Sequence, residues 1–254
     1  ILWDKNFGFL KNKPLNLYMS NMKLSIVIPC YNEGKNIPLI LSRFDEVINR
    51  KDIEALLVNN GSTDNSEEVL DELLPKYPFA RVVNVQENKG YGYGILTGLR
   101  EASGTFIGWT HADMQTDPND VIKALEIIES ESNAKNTYVK GDRKGRPFFD
   151  QFFTSGMSIF ESLYMGKKLH DINAQPNIFH RDFFASWKNP PHDFALDLYV
   201  LFMAKKQKLK VIRFDVLFPE RIHGTSSWNT GFASKRKFIK RTLVFSKKLK
   251  KSIK

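Results

Sequence analysis

Four apolar, β-branched runs, each closing in a polar turn and three of them leading straight into a helix-spaced segment, constrain this chain more than any other feature. Leu24 to Pro29 (LSIVIP) reads as a strand buried on both faces, with Cys30 to Gly34 as its turn. Asn36 to Arg50 follows with Ile37, Ile40, Leu41, Phe44, Val47 and Ile48 at helical spacing. Ile53 to Val58 is a second strand, closing in Asn59-Asn60-Gly61-Ser62-Thr63-Asp64. Asp64 is placed to cap a helix carrying Val69, Leu70, Leu73 and Leu74. Arg81 to Gln86 and Thr105 to Thr110 are strands three and four, separated by a glycine-rich helix over Gly90 to Ala102. A helix at Val121 to Ser130 and strands at Thr137 to Lys140 and Leu209 to Phe218 continue the series. Such alternation predicts an α/β, Rossmann-like, doubly wound and mostly parallel sheet. The polar clusters after strands one, two and four then share one sheet edge, where open α/β sheets bind ligands.

The fourth of these turns, GWTHADMQTDP, holds the densest chemistry. His111, Asp113 and Gln115 are two apart, so extended backbone turns all three the same way. Oxygen and imidazole donors so aligned suit a divalent cation that also holds a diphosphate. The alternative is local: Thr116 or Asp117 caps the helix opening at Pro118, and Asp113 is a solvated turn residue.

The length of 254 residues suits one large α/β domain, or one with an appendage. No apolar run approaches the roughly 20 residues that span a bilayer, and Ile1 to Ser20, broken by Asp4, Lys5, Lys11 and Lys13, does not read as a signal peptide. The single cysteine, Cys30, excludes an internal disulfide and fits a reducing compartment. The net charge of +10 is local: residues 235–254 hold ten of the 38 lysines and arginines and no acid, leaving 28 basic against 28 acidic residues before them. The charge therefore belongs to a tail and is no general polyanion-binding property.

VIPCYNEGKNI, LLVNNGSTDNS and NKGYGYGILTGLREASGTFIGWTHADMQTDP, in that order, resemble the successive motifs of family 2 glycosyltransferases with the GT-A fold. The nearest flavour is that of dolichyl-phosphate mannose synthase-like and bacterial cell-envelope enzymes. The resemblance is strong over Lys23 to Pro118 and continues weakly through Asp171 to Pro176 and Glu220 to Gly224. It implies a nucleotide-diphospho-sugar donor, with Pro29, Tyr31 and Glu33 walling the nucleoside. Asn59 and Asn60 stand where the family has two aspartates, and an asparagine amide suits the imide and carbonyl of uracil or guanine. Lys89 and Gly90 are implied near the donor phosphate or sugar. His111 stands where the family has an aspartate, while Ala112, Asp113 and Gln115 match the pattern around an Mn²⁺ or Mg²⁺ ion. Arg221 and His223 match a loop that folds over the pyrophosphate.

In the second half, Gly141 to Arg146 resembles a Gly-x-Arg loop in which Arg143 meets an acceptor phosphate. Phe148 to Met165 is an aromatic-rich helix, and the family's basic pair in it is absent. Asp197 aligns with the acidic residue of inverting members and is the candidate general base, with Asp193 the second choice or a helix cap. From Ser234 to Lys254, lysines interleave with Phe238, Ile239, Leu243, Phe245, Leu249 and Ile253, predicting a basic amphipathic helix. An anionic membrane surface is its expected partner, in preference to nucleic acid, since no nucleic-acid-binding fold accompanies it. The expected organisation is an N-terminal extension (1–22), a GT-A domain (23–230, with its nucleotide-sugar half ending at residue 140) and a basic tail (231–254). The expected protein is an inverting, metal-assisted glycosyltransferase, peripheral on the inner face of the plasma membrane, serving a lipid-linked phosphate or saccharide acceptor in cell-envelope glycan synthesis. A silent nucleotide-sugar-binding protein is the rival. A nucleotidyltransferase is disfavoured because YNEGKN is not a basic glycine-rich phosphate loop.

Overall fold

The computed structural model describes residues 22–145, 148–219, 221–223 and 232–252; for helical residues 148–153, 232–235, 237, 238 and 252 it gives the backbone path alone. The leader at 1–21 and residues 146, 147, 220, 224–231, 253 and 254 lie outside the described residues. In chain order the elements are β1 (Leu24–Cys30), α1 (Ile37–Val47), β2 (Ile53–Asn60), α2 (Ser66–Leu73), β3 (Ala80–Val85), α3 (Tyr91–Glu101), β4 (Phe106–Trp109), α4 (Pro118–Glu129) and β5 (Thr137–Lys144). They continue with α5 (Phe148–Met165), β6 (Asn177–His180), α6 (Arg181–Ala185), α7 (Ala195–Lys206), β7 (Lys210–Leu217) and α8 (Phe232–Ser252).

One seven-stranded sheet has the order β3-β2-β1-β4-β6-β5-β7, with every strand parallel except β6, which runs against both β4 and β5. Side-chain alternation sorts the strands into two cores. Ile26, Ile28 and Leu57 pack with Phe44, Leu70 and Leu125 of α1, α2 and α4 on one face. Val27, Leu56 and Val58 pack with Leu96, Leu99 and Phe202 of α3 and α7 on the other. The sheet is thus doubly wound, as the alternating pattern predicts.

Sequence reading misses β6 and α6. Two apolar residues, Ile178 and Phe179, between Pro176 and the cap residue His180 make too short a pattern to read as a strand. Yet β6 joins the two halves of the sheet. It approaches β4 so closely that a Cβ on Gly108 would meet the Asn177 carbonyl oxygen at 1.9 Å, which explains the glycine inside an otherwise bulky strand.

The tail is helical and docks on the domain. Residues 232–252 are helical as predicted, and the apolar side is divided: Phe245 and Leu249 face protein while Leu243 is exposed. Ser246 and Leu249 are buried, Phe245 packs into the core with α7 residues, the Ser246 hydroxyl donates to Glu161 of α5 at 2.7 Å, and Lys250 donates to the Tyr164 carbonyl at 2.5 Å. Phe238 and Ile253 lie outside the described side chains.

Candidate active site

The C-terminal ends of β1, β2 and β4, with β5 and the start of α7, surround a cleft of about 880 Å³. Its β1 wall is knitted to the turn after β2. Asn32, at φ 57°, takes the Thr63 N–H on its side-chain oxygen, and its own N–H goes to the Ser62 hydroxyl. The N–H groups of Glu33 and Gly34 go to the Ser66 hydroxyl and to Asp64. Asp64 also accepts the N–H and hydroxyl of Ser66, the first residue of α2. Burial pushes its carboxyl up, but the bonds from Ser66 and Gly34 outweigh that and hold it below the usual range.

The two asparagines of β2 part company because consecutive strand residues face opposite ways. Asn59 does not line the cleft; its Oδ1 accepts the Ser62 N–H at 3.2 Å and shapes the turn. Asn60 lines the cleft at 3% exposure, and its Nδ2 donates to the Gly90 carbonyl at 3.1 Å while its Oδ1 has no partner. Two glycines shape this corner. A Cβ on Gly94 would lie 3.0 Å from the Asn60 side chain, and Gly90, at φ 112°, would place a Cβ 2.5 Å from the His192 carbonyl. Lys89 is exposed over the Tyr93 ring at 5.6 Å and does not line the cleft.

His111, Ala112, Asp113 and Gln115 all line it. Asp113 is buried, accepts the Gln115 N–H at 3.2 Å and pairs with Arg221 at 2.8 Å. The Gln115 side chain is held at both ends, donating to the Pro219 carbonyl and accepting from Arg221 Nε, each at 3.0 Å. Arg221 is thereby held by both Asp113 and the Gln115 amide oxygen, and that oxygen keeps a second lone pair. Asp117 caps α4 through the Asn119 N–H, so the capping role and the cleft role fall to different residues. The His111 ring lies 6.5 Å from Tyr91 and 6.4 Å from Phe218. Burial pushes its imidazole below the ordinary range; Asp113 opposes that, and Arg143, Arg221 and Lys140 reinforce it, so the ring is neutral near pH 7. Glu33 is pushed up by burial and by Asp113 against the hydrogen bond from Asn36. Pro29, Tyr31 and His223 complete this side.

Across the cleft, Arg143 forms a buried ion pair with Asp171, Nε lying 3.0 Å from Oδ1 and the Arg143 N–H 2.9 Å from Oδ2. The Arg143 guanidinium also lies 5.0 Å over Phe218. Asp197 lines the cleft at 2% exposure and accepts from Gln175 Nε2 at 3.2 Å. Burial raises its carboxyl to about 6, against the pull of Lys140. Asp193 does not line the cleft: it accepts the Ala195 N–H at 2.8 Å where α7 begins and faces Arg241 of α8 at 3.9 Å, a structural position. Sequence reading missed Tyr91, which stacks on Phe194 at 4.7 Å inside the cleft, and the Lys140–Asn177–Gln175 cluster behind Asp197. The YGYG stretch containing Tyr91 showed its glycines more loudly than its ring.

Among the described residues no three His, Cys, Asp or Glu side chains gather as a metal site. The donors on this turn are Asp113, a neutral His111 and the Gln115 amide oxygen, which also accepts from Arg221. They fit a cation whose remaining ligands come from a substrate's own phosphate oxygens, and do not fit a self-sufficient protein cage.

Sheet order, cleft and acidic turn place the chain among proteins of the GT-A architecture. A model of glycosyl transferase family 2 matches residues 25–187, and the chain belongs to that family. It is 33% identical over 138 residues to a dolichol-phosphate mannosyltransferase of Pyrococcus furiosus, covering 53% of this chain and 39% of the relative. It is 25% identical over 210 residues to an undecaprenyl-phosphate 4-deoxy-4-formamido-L-arabinose transferase of Pectobacterium carotovorum, covering 81% and 62%. The chain thus spans between about two fifths and three fifths of the length of these relatives. Glucosyl-3-phosphoglycerate synthase of Mycobacterium tuberculosis, in complex with Mn²⁺, UDP-glucose and glycerol 3-phosphate, shares the fold with a TM-score of 0.68 at 18% identity, covering 89% of this chain and 80% of that one. A mannosyltransferase of Pyrobaculum calidifontis in complex with GDP-mannose and Mn²⁺ shares it at 0.62 and 19%, covering 88% and 62%.

Proposed function

We propose that the chain transfers a sugar, with inversion, from a UDP- or GDP-linked donor to a lipid-linked acceptor. The observation that carries the reading is the unpaired, buried Oδ1 of Asn60 in the same cleft as Asp113 and Arg221: an acceptor for a base N–H beside charges suited to a diphosphate. Uracil and guanine both offer that N–H next to a carbonyl. Pro29, Tyr31 and Glu33 wall the nucleoside. Asp113 and His111 would hold Mn²⁺ or Mg²⁺, which when bound offsets charge on the departing diphosphate. Arg221, freed from Asp113, pairs with the diphosphate together with His223.

During transfer the bond between the anomeric carbon and the donor phosphate oxygen breaks, its electron pair staying with the diphosphate. The acceptor oxygen bonds the carbon from the opposite face. An acceptor hydroxyl gives its proton to Asp197; a phosphate acceptor carries none to give. The relatives named for dolichol phosphate and undecaprenyl phosphate favour a polyprenyl phosphate, which would meet Arg143 at the cleft.

A membrane-borne acceptor calls for a docking surface at the inner membrane face, and α8 buries part of its apolar side against the protein. The reading is supported by the outward stripe of α5, Ile159 (62% exposed), Phe160 and Leu163 (80% exposed), beside the basic α8 with its exposed Leu243 and Val244. No helix among the described residues is long and apolar enough to cross a membrane. Co-sedimentation with phosphatidylglycerol vesicles, abolished by Leu163→Glu with Ile159→Glu and absent on phosphatidylcholine, is the expected result.

Titration calorimetry with UDP- and GDP-sugars, with and without Mn²⁺, tests the donor assignment. One base should bind, more tightly with Mn²⁺; binding of neither sinks the reading.

A further inference from the structure

We propose that Lys140 sets the direction of a buried amide relay, Asn177 and then Gln175, so that Asp197 is met by an N–H and held as a carboxylate. Lys140 is then a positioning residue for the proton-accepting step, an inference that rests on the role given to Asp197 above.

Lys140 is fully buried, and its ammonium donates to the Ala174 carbonyl at 2.5 Å and to Asn177 Oδ1 at 2.8 Å. An ammonium has donors only, so Asn177 must turn its oxygen toward it. The Tyr138 hydroxyl donates to the same oxygen. Asn177 Nδ2 is left facing Gln175, and its hydrogens go to Gln175 Oε1 and to the Ala174 carbonyl at 3.2 Å. Gln175 in turn presents its NH₂ group away from Asn177, giving one hydrogen to the Tyr91 hydroxyl at 3.1 Å and one to Asp197 Oδ1 at 3.2 Å. Every amide hydrogen in the chain is thereby used. Reversing Asn177 would set NH₂ against the ammonium, and reversing Gln175 would set a carbonyl against the carboxylate, mismatches that burial makes expensive.

Neither Lys140, Asn177 nor Gln175 lines the cleft, whereas Asp197 does. The relay therefore reaches the cleft at Asp197 and at the Tyr91 hydroxyl, and of these two only Asp197 is a carboxylate that can take a proton. The other charged and titratable groups facing Asp197 are Arg143 and Tyr138 of β5 and Tyr91 of α3; the Trp109 indole N–H of β4 also points there without a hydrogen bond of full geometry. Lys140 additionally faces Asp171, Arg143 and Arg213. Burial lowers the Lys140 ammonium and raises the Asp197 carboxyl, and each opposes the shift of the other. In the transfer step the acceptor O–H bond breaks, its electrons stay on the oxygen that bonds the sugar, and the proton goes to Asp197.

A carboxyl ¹³C titration by NMR, with Asp197 assigned by its loss in Asp197→Asn, decides the matter on the full chain. The unsubstituted chain should titrate near 6. Lys140→Met and Gln175→Met should each move the midpoint up by about one unit or more, and the double variant should move it no further than the larger single. Singles that leave the midpoint in place, or a double equal to the sum of both, overturn the relay. Gln175→Met leaves both acceptors of Lys140 intact, so it decides the question even where Lys140→Met fails to fold. The acid limb of kcat/KM for sugar transfer should follow the NMR midpoint in Gln175→Met. A midpoint that moves while the limb stays would keep the relay and remove Asp197 as the base.

Discussion

On the β1–β2–β4 side of the cleft, polar atoms are left wanting: Asn60 Oδ1 is unpaired, and Asp113 is paired with Arg221, a side chain on the stretch after β7. On the β5–β6–α7 side, Arg143 sits on Asp171, and Lys140, Asn177 and Gln175 close their hydrogen bonds on one another and on Asp197. The first side is built to be completed by a ligand. The second is completed by the protein itself and presents one prepared group. Substitutions should therefore separate activity from stability according to the side they fall on.

Asp113→Asn carries the largest expected effect. It removes the anionic ligand proposed for the cation and should lower kcat/KM for transfer by about 10²–10³-fold, while urea midpoints stay nearly unchanged because Arg221 is partly exposed and regains water. A variant that unfolds would erase the distinction between the two sides. Arg143→Met is its mirror image. The Arg143 and Asp171 side chains are 8% and 2% exposed, so the substitution should cost about 3–5 kcal/mol in urea unfolding. The exposed Arg43–Asp117 pair, at 35% and 46%, should cost under about 1 kcal/mol when broken in the same way.

The two sides also differ in how much of them the sequence discloses. β1, β2 and β4 are continuous apolar runs with their polar turns attached, so element, edge and candidate residue can be read within about ten positions of one another. Strand alternation even separates Asn59 from Asn60, though only the strand's true end at Asn60 shows which one faces the cleft. The second side rests on contacts 37 positions apart, between Lys140 and Asn177, and 22 apart, between Gln175 and Asp197. Nothing local marks Lys140 in TYVKG as buried; it reads as the polar end of a strand. β6 is invisible for the same reason, since its pairing partners and not its four residues make it a strand. The tail lies between these cases: its amphipathic period is legible, but the surface that covers its apolar side is not.

A pH series sharpens the contrast by moving activity and stability in opposite directions. The Asp197 carboxyl is raised to about 6 in the fold, above its ordinary 3.8. The folded state therefore binds the proton more readily than the unfolded chain, and the contribution of Asp197 to stability grows as pH falls through 6. Lys140, lowered to about 7 from 10.5, loses its proton in the fold across neutrality, so its own contribution to stability falls away toward the acid end of this range and is constant below about pH 6. Between pH 7 and 5, transfer to a hydroxyl acceptor should fall toward tenfold per unit below 6. Over the same window, urea stability of the unsubstituted chain should gain relative to Asp197→Asn. Activity that stays flat with a phosphate acceptor would identify an acceptor that needs no base.

Asn60→Leu carries the smallest effect and probes the ligand-completed side most directly. The side chain donates to the Gly90 carbonyl, so the variant loses that bond, but it also removes a buried oxygen that has no partner in the free protein. These changes oppose one another, and unfolding free energy should move by less than about 1 kcal/mol. In the donor complex the accounting differs, because the base N–H then faces a methyl group and goes unpaired inside the cleft. The loss of one such buried bond is worth about 1–2 kcal/mol, a weakening of the donor Kd by roughly tenfold in calorimetry. Asn60→Asp keeps the accepting oxygen and should retain most of that affinity. If Asn60→Leu binds donor as tightly as the unsubstituted chain, the unpaired oxygen is not a base contact, and the side of the cleft described as awaiting a nucleoside loses its defining atom.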